Sequence, residues 1–224
     1  MEQNANLVSC NFNECSSNFE AVNGFSERQL AEEIVKSSYC FGTDPFLIAS
    51  KVRQESRFDA RAISPTGAIG LTQLTRIGLE ELLDQLGHRG EAYAMLPAKG
   101  YFESVISCYL DQENRSVFSD FPEILTYENE KKKLAYVDNS IAELKTWFSY
   151  KTDSDRPEKQ MRTRRQLILG QSLLKVYLAY SDRIYAHKNN LFLYNNALKM
   201  FNGDKKKVQY AKEVIKKSTY VRPN

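Results

Sequence analysis

Between Ser26 and Gly87 the sequence is punctuated for helices, and nothing in it alternates in the way a half-buried strand requires. "SERQLAEEIV" opens with Ser26 as a helix cap and Gln29 three residues later, the spacing of a capping box. The helix should run to about Cys40 and stop at "FGTDP", where Gly42 and Pro45 interrupt it. Asp44-Pro45 starts another helix, with a capping acid followed by proline in the first turn. Residues 56–67 read as loop, turned by Pro65 and Gly67. A further helix begins at Gly70 or Thr75 and closes at Gly87. Helical segments are expected near 97–112, 128–150, 156–185, 189–201 and 204–218, while "LFLY" is ambiguous. The chain is expected to be an all-α single domain, with residues 1–23 a polar extension or tether ahead of it.

Composition narrows the function classes. A 224-residue chain can bury a real core, and 42% hydrophobic with 26% charged residues is globular composition. Basic and acidic residues number 31 and 28, a balance that argues against nucleic acid as the main partner. The runs Lys131–Lys133 and Lys205–Lys207 read as solvated helix faces. No window carries the roughly 18 apolar residues of a membrane span. The start, "MEQNANLVSC", has neither a basic nor an apolar signal region, so the protein is either cytosolic or lacks a signal already removed. The four cysteines, Cys10, Cys15, Cys40 and Cys108, have no CxxC spacing and only two histidines to join them, so zinc is not expected. They are read either as two disulfides in an oxidising compartment, with the pairing open, or as buried thiols.

One position breaks the pattern of its own helix. Ile48, Val52 and Glu55 recur at i, i+4 and i+7 and share a face, with Lys51 and Arg53 expected to point elsewhere. Glu55 is thereby expected on the apolar side at the helix C-terminus. Burial and the negative end of the helix dipole both favour the protonated acid there, the form a general acid needs. The other reading is a glutamate that curls into solvent. Gly67 and Gly70 then allow close backbone approach, and Ser64 and Gln73 are polar groups in a small, apolar stretch.

The run "IASKVRQESRFDARAISPTGAIGLTQL", Ile48–Leu74, resembles the signature of the lysozyme-like soluble lytic transglycosylase (SLT) domain: E-S followed by S-P-x-G-A-x-G-L-x-Q-L. Ser64 and Gln73 stand nine and eighteen residues after Glu55, as in that family. Later motifs are partly kept. In "QLILGQSLL" Gly170 is retained, while Gln166 and Leu173 replace the family's Asn and Tyr. In "FLYNNAL" Tyr194 and Asn195 fit, and Asn196-Ala197 replace Ala-Gly. Tyr210 fits the last element, but Lys206 stands where the family has Glu.

The resemblance implies an SLT-type helical domain over 24–224 with a long helical insertion at about 78–160. That insertion is either packed embellishment or a wall of a saccharide groove. In the groove reading Tyr101, Phe102, Trp147 and Phe148 could stack on sugars, although aromatics at this spacing also serve as core. The implied activity is cleavage of the β-1,4 MurNAc–GlcNAc bond of peptidoglycan to 1,6-anhydro ends. Glu55 would be catalytic, Ser64, Gln73, Tyr194, Asn195 and Tyr210 substrate-binding, and no metal or cofactor needed. Asp59 is expected to be a structural turn residue. An acid of the insertion, such as Asp111, Glu113 or Asp120, could instead supply the second carboxylate of a hydrolase. The readings left open are a transglycosylase, a muramidase on the same scaffold, and an idle glycan-binding module. Peptidoglycan is the partner in all three; the cysteines and that substrate class point to a periplasmic or secreted protein, and nothing in the sequence demands more than a monomer.

Overall fold

The computed structural model describes residues 19–87, 98–110, 156–186, 188–202 and 207–219, with a few single positions between 135 and 142. These residues form helices α1 (Phe19–Asn23), α2 (Glu27–Phe41), α3 (Pro45–Ser56) and α4 (Arg76–Gly87). Then come α5 (Ala98–Tyr109), α6 (Arg156–Ile184), α7 (Asn190–Asn202) and α8 (Lys207–Thr219). No strand occurs among the described residues, only two isolated bridges, Ile63–Ile69 and Ile69–Leu74. The all-α expectation holds, and the expected helices near 97–112, 156–185, 189–201 and 204–218 correspond to α5–α8. The segments expected at 128–150 and across most of the insertion lie outside the described residues. So do Cys10, Cys15, both lysine triplets apart from the backbone of Lys207, Asp111, Glu113, Asp120, Trp147, Phe148 and the side chains of Tyr101 and Phe102. Cys40 and Cys108 are disulfide-bonded.

The chain divides into two compact units. The first comprises 1–75, 140–171 and 213–224, the second 76–139 and 172–212, so α6 and α8 each contribute to both.

In the first unit the helix signals operate as the sequence implies. Ser26 Oγ accepts from Gln29 N–H and the Gln29 side chain accepts from Ser26 N–H, which satisfies two orphan donors of α2. Gly42, in the left-handed conformation at φ 61°, closes the helix by returning its N–H to Ser38 and Tyr39 carbonyls. Asp44 caps α3 by accepting from Phe46 and Leu47 N–H. The buried stripe of α2, Leu30, Ala31, Ile34 and Phe41, has the 3–4 spacing of a core-facing helix. Full burial of each of its larger side chains contributes about 1.5–3 kcal/mol. The last residues of the expected extension belong to this core. Phe19 and Val22 are buried, and the Asn23 amide links Phe19 O, Phe58 O and Ala60 N–H.

What fixes the irregular segment 57–75 is the first half of α6. The buried Gln166 side chain spans it, accepting from Leu71 N–H at 2.7 Å and donating to Ala60 O at 3.0 Å. Thr72 Oγ1 donates to Gln166 O. Two glycines make this approach possible. Gly70 has φ +75°, and a Cβ there would stand 2.2 Å from Gln166 Oε1. A Cβ on Gly170 would stand 2.3–2.5 Å from the Thr72 side-chain atoms. One turn beyond Gln166, Gln171 donates to Ser37 Oγ at 2.7 Å and accepts from Thr43 Oγ1 at 2.8 Å, tying α6 to α2 and its cap. Arg164 forks onto Glu33 at 2.7 and 3.0 Å.

In the second unit Tyr177 of α6 donates to Glu81 of α4 and meets Phe201 of α7 edge-on at 6.3 Å. Burial first, and then the Glu81 carboxylate, push the Tyr177 phenol far above its ordinary range. Arg76 bridges Glu80 and Asp138.

The glycine contacts yield a stability prediction. Alanine in place of Gly170 should destabilise the protein although it raises helix propensity, because about 1 kcal/mol of propensity is outweighed by 1–3 kcal/mol of overpacking against a short, buried Thr72. Alanine in place of Gly70 should cost more, since the left-handed backbone adds strain to the clash with Gln166. Thermal unfolding of both variants checks the order. A Gly170→Ala protein as stable as the parent would show that α6 and the segment do not meet as described.

Candidate active site

Helix α3 is capped at Asp44 and ends at Arg57, a left-handed residue at φ 53° whose N–H returns to Arg53 O. Glu55 therefore sits in the last turn, and its side chain keeps 13% of its surface exposed. The next residue, Ser56, is buried and donates its hydroxyl within reach of two carbonyls, Val52 O at 3.0 Å and Leu71 O at 3.1 Å. One turn earlier, Lys51 donates to Thr72 O at 3.2 Å. Both contacts hold the segment that carries Gln73 against the turn that carries Glu55.

Lys51 corrects the sequence reading. It does not point away from Glu55: its side chain is 2% exposed, and Nζ lies 3.9 Å from Glu55 Oε1. Burial draws the ammonium down to about 8, with the Glu55 carboxylate pulling the other way. The apolar face of α3 was read as Ile48, Val52 and Glu55. Helical geometry adds Lys51 to that stripe, three residues after Ile48 and four before Glu55. Glu55 is sheltered as expected, but its neighbour is a buried cation rather than hydrocarbon alone.

Ser64 and Gln73 lie in the same unit, and their polar atoms have local roles. Ser64 Oγ accepts from Ala68 N–H at 3.0 Å and is bonded to Thr66 Oγ1, closing the turn in which Gly67 N–H donates to Ser64 O. Gln73 adopts φ 50°, and its Nε2 donates to Ala62 O at 3.1 Å and Gly70 O at 3.0 Å. The donating end of Gln73 thus braces the loop; its carbonyl oxygen is the end with which it could meet a ligand. Asp59 accepts from Arg61 N–H at 2.7 Å and pairs with the Arg61 side chain, the turn role expected of it.

The other expected ligand residues belong to the second unit. Tyr194 and Asn195 are half-buried on α7, and Tyr210 is buried on α8. Burial pushes the Tyr194 phenol up to about 12, so it remains a hydrogen-bond donor across neutral pH. Lys206 lies outside the described residues. Sequence reasoning missed the structural weight of Gln166, which it met only as a departure from a motif. Among the described residues no His, Cys, Asp and Glu cluster could hold a metal ion, and no helix is long and apolar enough to cross a membrane.

The bracing role of Gln73 is testable. Gln73→Glu keeps the shape but removes both donors and turns a carboxylate toward two carbonyls. The loss should be about 2 kcal/mol at roughly 1 kcal/mol per hydrogen bond, or about 4–8 °C in Tm. An unchanged Tm would mean that Gln73 contributes nothing to holding the loop.

No curated protein and no solved structure matches the chain. One family does: the Transglycosylase SLT domain, whose model matches residues 33–98. That span takes in α2 from Glu33 to Phe41, the whole of α3, the braced segment and α4, so the part of the chain that builds the Glu55 turn is the part similar to the Transglycosylase SLT domain.

Proposed function

We propose that this protein is a lytic transglycosylase acting on peptidoglycan glycan strands, with Glu55 as its single acid and base. The observation that carries the reading is the sheltered Glu55 at the end of α3, fixed beside a loop that the Lys51, Ser56 and Gln166 side chains hold in place. The match of this same stretch to the SLT domain supports peptidoglycan as the substrate.

In this reaction protonated Glu55 gives its proton to the glycosidic oxygen between MurNAc and GlcNAc. The C1–O bond breaks, and the acetamido oxygen of the muramoyl residue closes on C1 as an oxazolinium. The Glu55 carboxylate then takes the proton of the C6 hydroxyl. O6 attacks C1, the oxazolinium opens, and a 1,6-anhydro end results with Glu55 protonated again. One carboxylate serves both steps, whereas retaining and inverting hydrolysis each call for a second one at a set distance. Asp59 is engaged with Arg61 and Arg61 N–H, which favours the single-acid route over a hydrolase that recruits it. Tyr194, as a protonated phenol, Asn195 and Tyr210 are proposed as further substrate-binding residues. A peptidoglycan substrate supports a site of action in the periplasm or outside the cell, and we propose a monomer there.

Digestion of purified sacculi, read by mass, tests the proposal. The parent protein should release muropeptides whose ends are lighter by one water than reducing ends. Glu55→Gln should lower release about a hundredfold or more while retaining the parent's Tm. Undiminished release by Glu55→Gln would remove Glu55 from the chemistry. A parent that releases nothing but binds sacculi would leave a glycan-binding module.

A further inference from the structure

Lys51 is a lysine in a core position, and its surroundings say what it does. It is among the largest fully buried side chains of the described residues, alongside Phe41, Leu30, Ile34, Ile48 and Ile69 of the same unit. Two of the groups near its nitrogen differ in use: Thr72 O at 3.2 Å, a neutral acceptor that anchors it, and Glu55 Oε1 at 3.9 Å, a carboxylate it does not hydrogen-bond at that length. A brace for the Thr72 carbonyl needs only a neutral donor. A buried cation costs far more, and only a facing anion offsets that cost.

Several other charged side chains of the same unit have partners of their own. Glu33 of α2 is forked by Arg164 of α6, Asp59 of the loop is held by Arg61, and Lys217 of α8 donates to Gln54 at 2.6 Å. Arg53 of α3 itself is half-buried. The charge that pulls on Lys51 is Glu55.

We propose that Lys51 is a positioning residue for Glu55: its anchored ammonium holds the carboxylate ionised and aimed in the free protein, and so shifts the working range of the enzyme toward acidic pH. The inference rests on Glu55 being the acid–base group. A cation about 4 Å away favours the ionised form of a carboxyl, and with both side chains this sheltered, little water screens the pair. Two consequences follow for the reaction. The proton leaves Glu55 for the glycosidic oxygen more readily, because the carboxylate it leaves behind faces a positive charge. The supply of protonated Glu55 also runs out at lower pH than it would without Lys51, so the alkaline limb of the rate profile falls earlier. Lys51 exchanges no proton with the substrate in this scheme; it acts through Glu55.

Lys51→Met keeps length and apolar contact while removing the charge, and two readouts follow the coupling. The first is the Glu55 side-chain carboxyl signal in carbon-13 NMR, assigned by its loss in Glu55→Gln. Its titration midpoint should rise by about one pH unit or more in Lys51→Met. The second is kcat/KM against pH on peptidoglycan, whose alkaline limb should move up by a similar amount. If Lys51→Met does not fold, the reciprocal measurement decides: the Lys51 Cε signal should titrate at lower pH in Glu55→Gln than in the parent. Coincident midpoints in these comparisons, with an active parent, overturn the role of Lys51 and leave Glu55 as the acid. A shifted midpoint with a parent inactive on every sacculus supports the coupling and sinks the glycosidase reading instead. A merely structural brace would lower stability in Lys51→Met and move neither midpoint.

Discussion

The Gln166 side chain is the interaction on which the first unit depends. It is buried on α6, and one amide group spans the irregular segment from Ala60 O to Leu71 N–H. No regular hydrogen-bond ladder exists across 57–75, so its backbone groups must find partners individually. Gln166 supplies two of them, and Asn23, Ser56, Lys51 and Gln73 supply others. Glycine at 70 and at 170 is the steric condition for this arrangement, since each lies where a methyl group would collide with a side chain of the same network. A long irregular loop is thereby pinned at several points, and the turn bearing Glu55 is held against it. The proposed single-carboxyl chemistry needs that fixity, because no second residue corrects a misplaced acid.

The electrostatics of the site differ from those of an acid in a greasy pocket. Lys51 and Glu55 form a sheltered pair with little solvent access. Burial of an ion pair rarely adds stability over an apolar one; its use is to fix a geometry or a protonation state. Here the cation is itself anchored to the backbone at Thr72, next to Gln73, so the loop, the lysine and the acid respond together to a change in any of them.

Much of this was legible in the sequence. The caps at Ser26 and Asp44, the stop at Gly42 and the α6 to α8 helices follow from local chemistry, which needs no knowledge of the fold. Glu55 was legible because a carboxylate interrupts an apolar stripe. Lys51 was equally available from its spacing to Ile48 and Glu55, but a lysine is ordinarily assigned to solvent, and the anchoring carbonyl at Thr72, twenty-one residues away, leaves no signal beside it in the sequence. The roles of Gln166 and Gly170 could not be seen, because their partners Leu71 and Thr72 are nearly a hundred residues distant. Gln73 was read as a substrate-binding residue from its place in the SLT-like motif, and the left-handed backbone that turns its amide inward left no local signal.

The proposed reaction has one carboxyl group performing both proton transfers, with the substrate's own hydroxyl as nucleophile in place of water. Cleavage of peptidoglycan in heavy-oxygen water measures this directly. Released muropeptide ends free of the label are the predicted result, since O6 closes on C1 and no solvent oxygen enters. One labelled oxygen at each new end would contradict it and make the enzyme a hydrolase.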